Sequence, residues 1–187
     1  MSFTATPFPG LFVYEPKIFN DDRGYFFESY NENTFKESGI NIPFVQDNQA
    51  RSVYGVLRGL HYQLAPHAQT KLVRVLEGEI MDVVVDIRKG SPSYAKVFTI
   101  CLSAGNKKQL FIPKGFAHGY AVLSQTAEVM YKCDTFYNKA CEGGIAYNDP
   151  ELNIDWGIPL DKAIVSEKDI KLVPLARAIH NFVFEES

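Results

Sequence analysis

Eight short strand-like runs, at residues 44–48, 56–63, 70–76, 79–87, 95–102, 109–112, 119–123 and 127–133, follow one another with only brief connections between them. The connections carry explicit turn residues: Glu77-Gly78, Lys89-Gly90-Ser91-Pro92, Ala104-Gly105-Asn106 and Pro113-Lys114-Gly115. Glycine supplies backbone angles that other residues resist, and proline cannot donate to a ladder, so each cluster ends a strand. Strands this short and this evenly spaced predict an all-β sandwich or barrel. Side chains alternate across a strand. In 79–87 that places Met81, Val83, Val85 and Ile87 on one face and Ile80, Asp82, Val84 and Asp86 on the other. Carboxylates among aliphatics on one face predict a lumen that is partly polar.

The ends of the chain are less regular. Residues 11–19 look extended, with Pro16 marking an edge or bulge. Asn20-Asp21-Asp22-Arg23-Gly24 is a turn, 25–30 reads as a strand, and 31–38 is a short helix stopped by Gly39. From Gly143 onward periodicity fades. That tail is expected to wrap the barrel or cap one mouth, with short helices near 168–172 and 174–180. The whole of 1–187 reads as one domain, with no repeat, linker or low-complexity tract.

Composition excludes several classes of function. A net charge of −3 lacks the basic footprint on which nucleic-acid or anionic-membrane binding rests. No apolar run approaches a membrane span, and no basic start leads into an apolar signal core. Cys101, Cys133 and Cys141 are an odd set without a C-x-x-C pair, which reads as reduced thiols in a cytoplasmic protein. The 10 tyrosines and 14 phenylalanines suit a core and also stacking surfaces for a flat ligand.

Two stretches could carry chemistry. In Arg58-Gly59-Leu60-His61-Tyr62-Gln63, strict alternation puts Gly59, His61 and Gln63 on one face and Arg58, Leu60 and Tyr62 on the other. A glycine two residues before the histidine would leave room beside the imidazole; equally, His61 could be a half-buried side chain bonded to backbone. In Pro113-Lys114-Gly115-Phe116-Ala117-His118, a turn followed by a histidine resembles the second motif of the cupin superfamily, whose small barrel receives that histidine from a hairpin. Metal-binding cupins supply His-x-His on the first motif. Here the strand reads His61-Tyr62-Gln63, and the glutamine leaves a poor zinc or iron set. No metal is expected, and no Gly-rich loop before a helix suggests a nicotinamide or nucleotide-triphosphate mode.

The order of the motifs is more specific than any one of them. Asp22-Arg23-Gly24-x-Phe26-x-Glu28, Gln46-x-Asn48, Arg58-Gly59-Leu60-His61-Tyr62-Gln63, Lys71-Leu72-Val73, Pro113-x-Gly115-Phe116-Ala117-His118-Gly119, Tyr131-Lys132, Asn148-Asp149-Pro150 and Ser166-x-Lys168-Asp169 occur in register from about residue 10 to 172. In this the chain closely resembles the dTDP-4-dehydrorhamnose 3,5-epimerases. The resemblance implies a cupin-type jelly-roll β-barrel with a few short flanking helices, a homodimer that exchanges N-terminal strands, and no cofactor. It implies dTDP-4-dehydro-6-deoxy-D-glucose as substrate and dTDP-4-dehydro-β-L-rhamnose as product.

Both C3–H and C5–H of a 4-keto sugar lie beside the carbonyl, so loss of either proton gives an enolate. Inversion then needs a base on one face, an acid on the other, and positive charge or donors at the enolate oxygen. By resemblance His61 is the base, Asp169 its orienting partner, Tyr131 the acid and Lys71 the group near the 4-keto oxygen. His118 and Asp82 form a supporting pair in the lumen. Substrate binding falls to Arg58 at the pyrophosphate, to Gln46, Asn48 and Lys168, and to Phe19 and Tyr137 as candidates for stacking on thymine. Arg23, Phe26 and Glu28 belong to the same set, with Arg23 and Glu28 reaching across from a partner subunit. Read without the resemblance, Ser166-Glu167-Lys168-Asp169 is a solvated helix start with Ser166 as N-cap, Tyr131 a core residue and Lys71 a surface charge. The rival readings are a 3-epimerase or 3,4-ketoisomerase on another nucleotide-linked 4-keto sugar, a metal-dependent cupin and a sugar-nucleotide sensor.

Overall fold

The structure is a computed structural model and describes residues 1–186. Fourteen strands and two short helices follow in chain order: β1 Ser2–Ala5, β2 Phe12–Glu15, β3 Phe19–Asp21, β4 Gly24–Phe26, α1 Glu32–Glu37, β5 Gln46–Val53, β6 Val56–Gln63, β7 Lys71–Glu77, β8 Glu79–Asp86, β9 Val97–Ser103, β10 Gln109–Ile112, β11 Phe116–Val122, β12 Thr126–Cys133, β13 Glu142–Gly144, β14 Ile164–Val165 and α2 Glu167–Ile170. Two antiparallel sheets face each other in a jelly roll. One has the order β1-β2-β10-β7-β12-β5, the other β13-β6-β11-β8-β9, with β14 lying parallel to β6. β3 and β4 form a separate hairpin.

The inward faces carry the aliphatic pattern. Val13, Val73, Val75, Leu110, Ile112 and Val129 of the first sheet pack on Ile80, Val84, Leu102, Phe116, Tyr120 and Val122 of the second. Each such side chain, fully buried, contributes about 1.5–3 kcal/mol. On the outer face of the second sheet, Leu57, Leu60, Tyr62, Val83 and Val85 are covered by Ile145, Leu152, Trp156, Leu175 and Phe182. Thus the C-terminal tail does wrap the barrel, and the Trp156 indole donates to the Tyr147 carbonyl at 2.9 Å to fix it there. The expected alternation in β8 holds: Ile80 and Val84 point inward beside Asp82, while Met81, Val83 and Val85 face the tail. Asp86 is spent elsewhere, on Arg88, Ser91 and Ser93 at the strand end.

The structure departs from the sequence expectation in β6. His118 pairs with His61 and Tyr120 with Arg58, so Gly59 and Leu60 together face the single residue Gly119. That is a β-bulge, and it resets the alternation. Leu57, Leu60 and Tyr62 all point to the tail, while Arg58 and His61 come to line one cavity instead of opposite faces. The role expected of Gly59 changes with it. Its φ is +119°, and a Cβ there would meet Gly119 Cα at 2.6 Å and the His118 carbonyl oxygen at 2.7 Å. The glycine is required by the close approach of two backbones, not as clearance for a ligand.

Other boundaries also differ. β1, β13 and β14 lie in stretches without a strand pattern, β2 is shorter than the extended run expected there, and the strand expected at 25–30 ends at Phe26. α1 matches, with the Asn31 side chain accepting from the Asn33 N–H. α2 is four residues long, Glu167–Ile170, and only three of them fall in the helix expected at 168–172; Leu175–Arg177 is a single 3-10 turn.

Candidate active site

Between the sheets, near the β6 bulge, lies a cavity of about 510 Å3. A smaller lobe of about 140 Å3 shares His61, Lys71 and Tyr131 with it. Together their volume suits a small-molecule site.

His61 enters from β6, in the second sheet. Its Nε2 is 2.6 Å from Asp169 Oδ1. These residues are 108 positions apart, and α2 brings them together: Ser166 Oγ caps the helix by accepting from the Asp169 N–H at 3.1 Å, and the Gly59 N–H donates to Asp169 Oδ2 at 3.3 Å. Burial alone would raise the Asp169 carboxyl. The His61 hydrogen bond and charge, with the Gly59 and Ser166 contacts, outweigh it and hold the carboxyl below its ordinary value. An ionised Asp169 accepts, so Nε2 carries a proton, and in the neutral ring Nδ1 is the nitrogen with the free lone pair.

Lys71 and Tyr131 face this dyad from β7 and β12 of the opposite sheet. The ammonium lies 5.6 Å from the centre of the Tyr131 ring. Desolvation lowers the Lys71 pKa, against Cys133, Asp82 and Glu142, which raise it. Burial pushes the Tyr131 hydroxyl up to about 12, with Cys133 and Tyr120 adding to the rise and Arg58 opposing it. Tyr131 therefore stays protonated through the neutral range. Deeper in the lumen, His118 Nε2 lies 2.9 Å from Asp82 Oδ2, both side chains buried. Arg58 lines the larger cavity.

The smaller lobe is bordered by a chain of polar contacts. Gln46 Nε2 donates to Asn48 Oδ1 at 3.0 Å, and Gln46 Oε1 accepts from the Tyr137 N–H at 3.1 Å. The Tyr137 hydroxyl donates to Glu142 Oε2 at 3.2 Å, and Lys168 pairs with the same carboxylate. Glu142 was not among the sequence candidates. It sits in a three-residue strand whose Glu-Gly-Gly sequence carries no alternation to reveal it.

Four expected binding residues lie apart. Phe19, Arg23 and Phe26 are on the exposed β3–β4 hairpin, where Arg23 pairs with Asp21 at 2.5 Å. The Glu28 carboxylate accepts from Asn31 Nδ2 at 3.1 Å. None of the four lines either lobe. Gln63, which stands where metal-binding cupins place a histidine, spends both ends on backbone: Nε2 donates to the His67 carbonyl at 2.7 Å and Oε1 accepts from the Asn138 N–H at 2.6 Å.

The profile of the family described as dTDP-4-dehydrorhamnose 3,5-epimerase matches residues 5–177. The chain belongs to the dTDP-4-dehydrorhamnose 3,5-epimerase family. It is 52% identical to the dTDP-4-dehydrorhamnose 3,5-epimerase of Shigella flexneri over 171 residues, covering 91% of this chain and 93% of that one. Its fold is similar to that of the epimerase from Elizabethkingia anophelis, with a TM-score of 0.90 and 51% identity over 93% of this chain and 96% of the other. A dTDP-6-deoxy-D-glucose-3,5-epimerase from Legionella pneumophila, solved in complex with dTDP-4-keto-L-rhamnose, gives a TM-score of 0.90 at 46% identity, covering 94% and 93%. As a member of this epimerase family the chain is an isomerase acting on a nucleotide-linked sugar. Among the described residues no helix is long and apolar enough to cross a membrane.

Proposed function

We propose that the chain inverts C3 and C5 of dTDP-4-dehydro-6-deoxy-D-glucose to give dTDP-4-dehydro-β-L-rhamnose, a step in dTDP-L-rhamnose formation, and does so as a cytoplasmic homodimer. The observation that carries this reading is the placement of His61–Asp169 on one sheet side and Tyr131 with Lys71 on the other. A sugar ring held between them has a base at one face and a proton donor at the opposite face, which inversion through an enolate requires. His61 Nδ1 takes the proton from carbon. Asp169 fixes the ring and stabilises the imidazolium that forms. The Lys71 ammonium answers the charge that develops on the C4 oxygen. Tyr131 returns a proton from the far side. The His118–Asp82 pair supports the floor of the site.

Arg58 is assigned to the diphosphate, for which a guanidinium fork is the matching donor. Gln46, Asn48 and Tyr137 line the smaller lobe, and Lys168, on the larger cavity, pairs with its Glu142; all four are assigned to the nucleotide end. Phe19, Arg23, Phe26 and Glu28 are assigned to the site of a second copy. That assignment is supported by the hairpin itself, since a two-stranded ribbon is marginal alone and this one exposes Phe19, Tyr25 and Phe26.

The test is the stereochemistry of the product. Incubation with dTDP-4-dehydro-6-deoxy-D-glucose, followed by proton NMR, is expected to show a sugar inverted at both C3 and C5. A product inverted at C3 alone would assign the chain to the 3-epimerase reading, and a 3-keto product to the ketoisomerase reading.

A further inference from the structure

We infer that Ser52 is a positioning residue, which sets the edge that Arg58 presents to the diphosphate; this rests on the reading of Arg58 as the diphosphate anchor. Arg58 is exposed at the mouth of the larger cavity, on a flexible stem that nothing in its own strand restrains. The restraint comes from the other sheet. Ser52 lies on β5, the edge strand of the first sheet, opposite Ala127 of β12, and is buried to 8% exposure. Its Oγ accepts from both Arg58 Nε and Arg58 Nη2, each at 3.2 Å.

A guanidinium has two donor edges useful for a fork, one formed by Nε and Nη2 and the other by Nη1 and Nη2. Ser52 occupies the first. The second is left for two phosphate oxygens, with its plane fixed by the serine. Tyr120, opposite Arg58 in the β6–β11 ladder, lines the same cavity, and its buried hydroxyl lies close to Ser52 without taking a guanidinium donor. Burial raises the Tyr120 hydroxyl, while the Arg58 charge and the nearby Ser52 act in the opposite sense, as expected of three groups gathered at one spot. Nothing about Ser52 is legible in sequence, because Arg51-Ser52-Val53 lies outside the strand expected at 44–48 and belongs to no motif.

The inference is tested by comparing ligands with and without the diphosphate. Calorimetry on the full chain would measure dTDP and thymidine binding to wild type, Ser52→Ala, Ser52→Thr and Arg58→Gln, with melting curves to verify folding. Ser52→Ala is expected to weaken dTDP roughly tenfold, to leave thymidine unchanged, and to raise KM for the nucleotide sugar with little change in kcat. Ser52→Thr, which keeps the hydroxyl, is expected to bind dTDP like wild type. Undiminished dTDP affinity in Ser52→Ala, alongside loss in Arg58→Gln, would overturn the role of Ser52 and leave Arg58 as the anchor. If Arg58→Gln also kept its dTDP affinity, the anchor reading would fall and the inference with it. Equal weakening of thymidine and dTDP by Ser52→Ala would show general loosening of the mouth and would also overturn the inference.

Discussion

At the level of single residues, Tyr131 and Lys71 share one cavity wall, and burial favours the neutral form of each: the phenol is pushed up to about 12, while the ammonium is held below its usual range. The sign of the pH dependence follows. Lys71 supplies positive charge to the enolate oxygen only while protonated, so kcat should fall as pH rises through its lowered value. That descending limb is expected below the ordinary lysine range of about 10.4. Measured kcat against pH would show it, and Lys71→Arg, if active, would move it upward. A limb unchanged in that variant would assign the titration to another group. His61 was legible as a candidate from its own stretch. Asp169 was not, because the chain between them must fold before Ser166 can cap α2 and turn the carboxylate toward the ring.

At the level of elements, the bulge in β6 has the largest consequence. By placing Gly59 and Leu60 against Gly119, it brings Arg58 and His61 to one cavity, joining a diphosphate anchor to a base. Gly59→Ala would drive a methyl into the Gly119 and His118 backbone and into a φ that L residues resist. A loss of at least about 2 kcal/mol in urea unfolding is expected, with a fall in activity greater than the stability loss explains. A variant as stable and active as wild type would mean that the bulge can relax without cost. Strict alternation misreads β6, since a bulge inserts a residue without a sequence mark. β7 through β12 were readable because aliphatic faces meet in the core. β5 was read too short: its Gln46–Val53 sequence is polar, with one face at the cavity and the other at solvent, so no apolar stripe marks it. The hidden elements share this cause. β13 and β14 are short ribbons laid on β6 by the tail, and their own side chains carry little of the burial that produces a pattern.

At the level of the whole molecule, four residues expected to bind substrate lie away from the cavity of their own chain. The β3–β4 hairpin leaves Phe19 51% and Phe26 67% exposed and keeps Arg23 away from the cavity. If that hairpin serves a partner's site in a two-fold dimer, mixing two defective chains restores a native site. Heterodimers of Arg23→Ala and His61→Asn are expected to recover activity that neither homodimer has, because one of their two sites draws His61 from one chain and Arg23 from the other. No recovery in verified heterodimers would place Arg23 with its own chain's site. The central claim, that His61 removes protons beside the C4 carbonyl within this cavity, is tested most directly by isotope exchange. Wild type incubated with dTDP-4-dehydro-6-deoxy-D-glucose in deuterated water should show label at both C3 and C5 by NMR. His61→Asn should bind dTDP normally while losing both exchanges by roughly 10²–10⁴-fold. Exchange in His61→Asn at the wild-type rate would contradict the account.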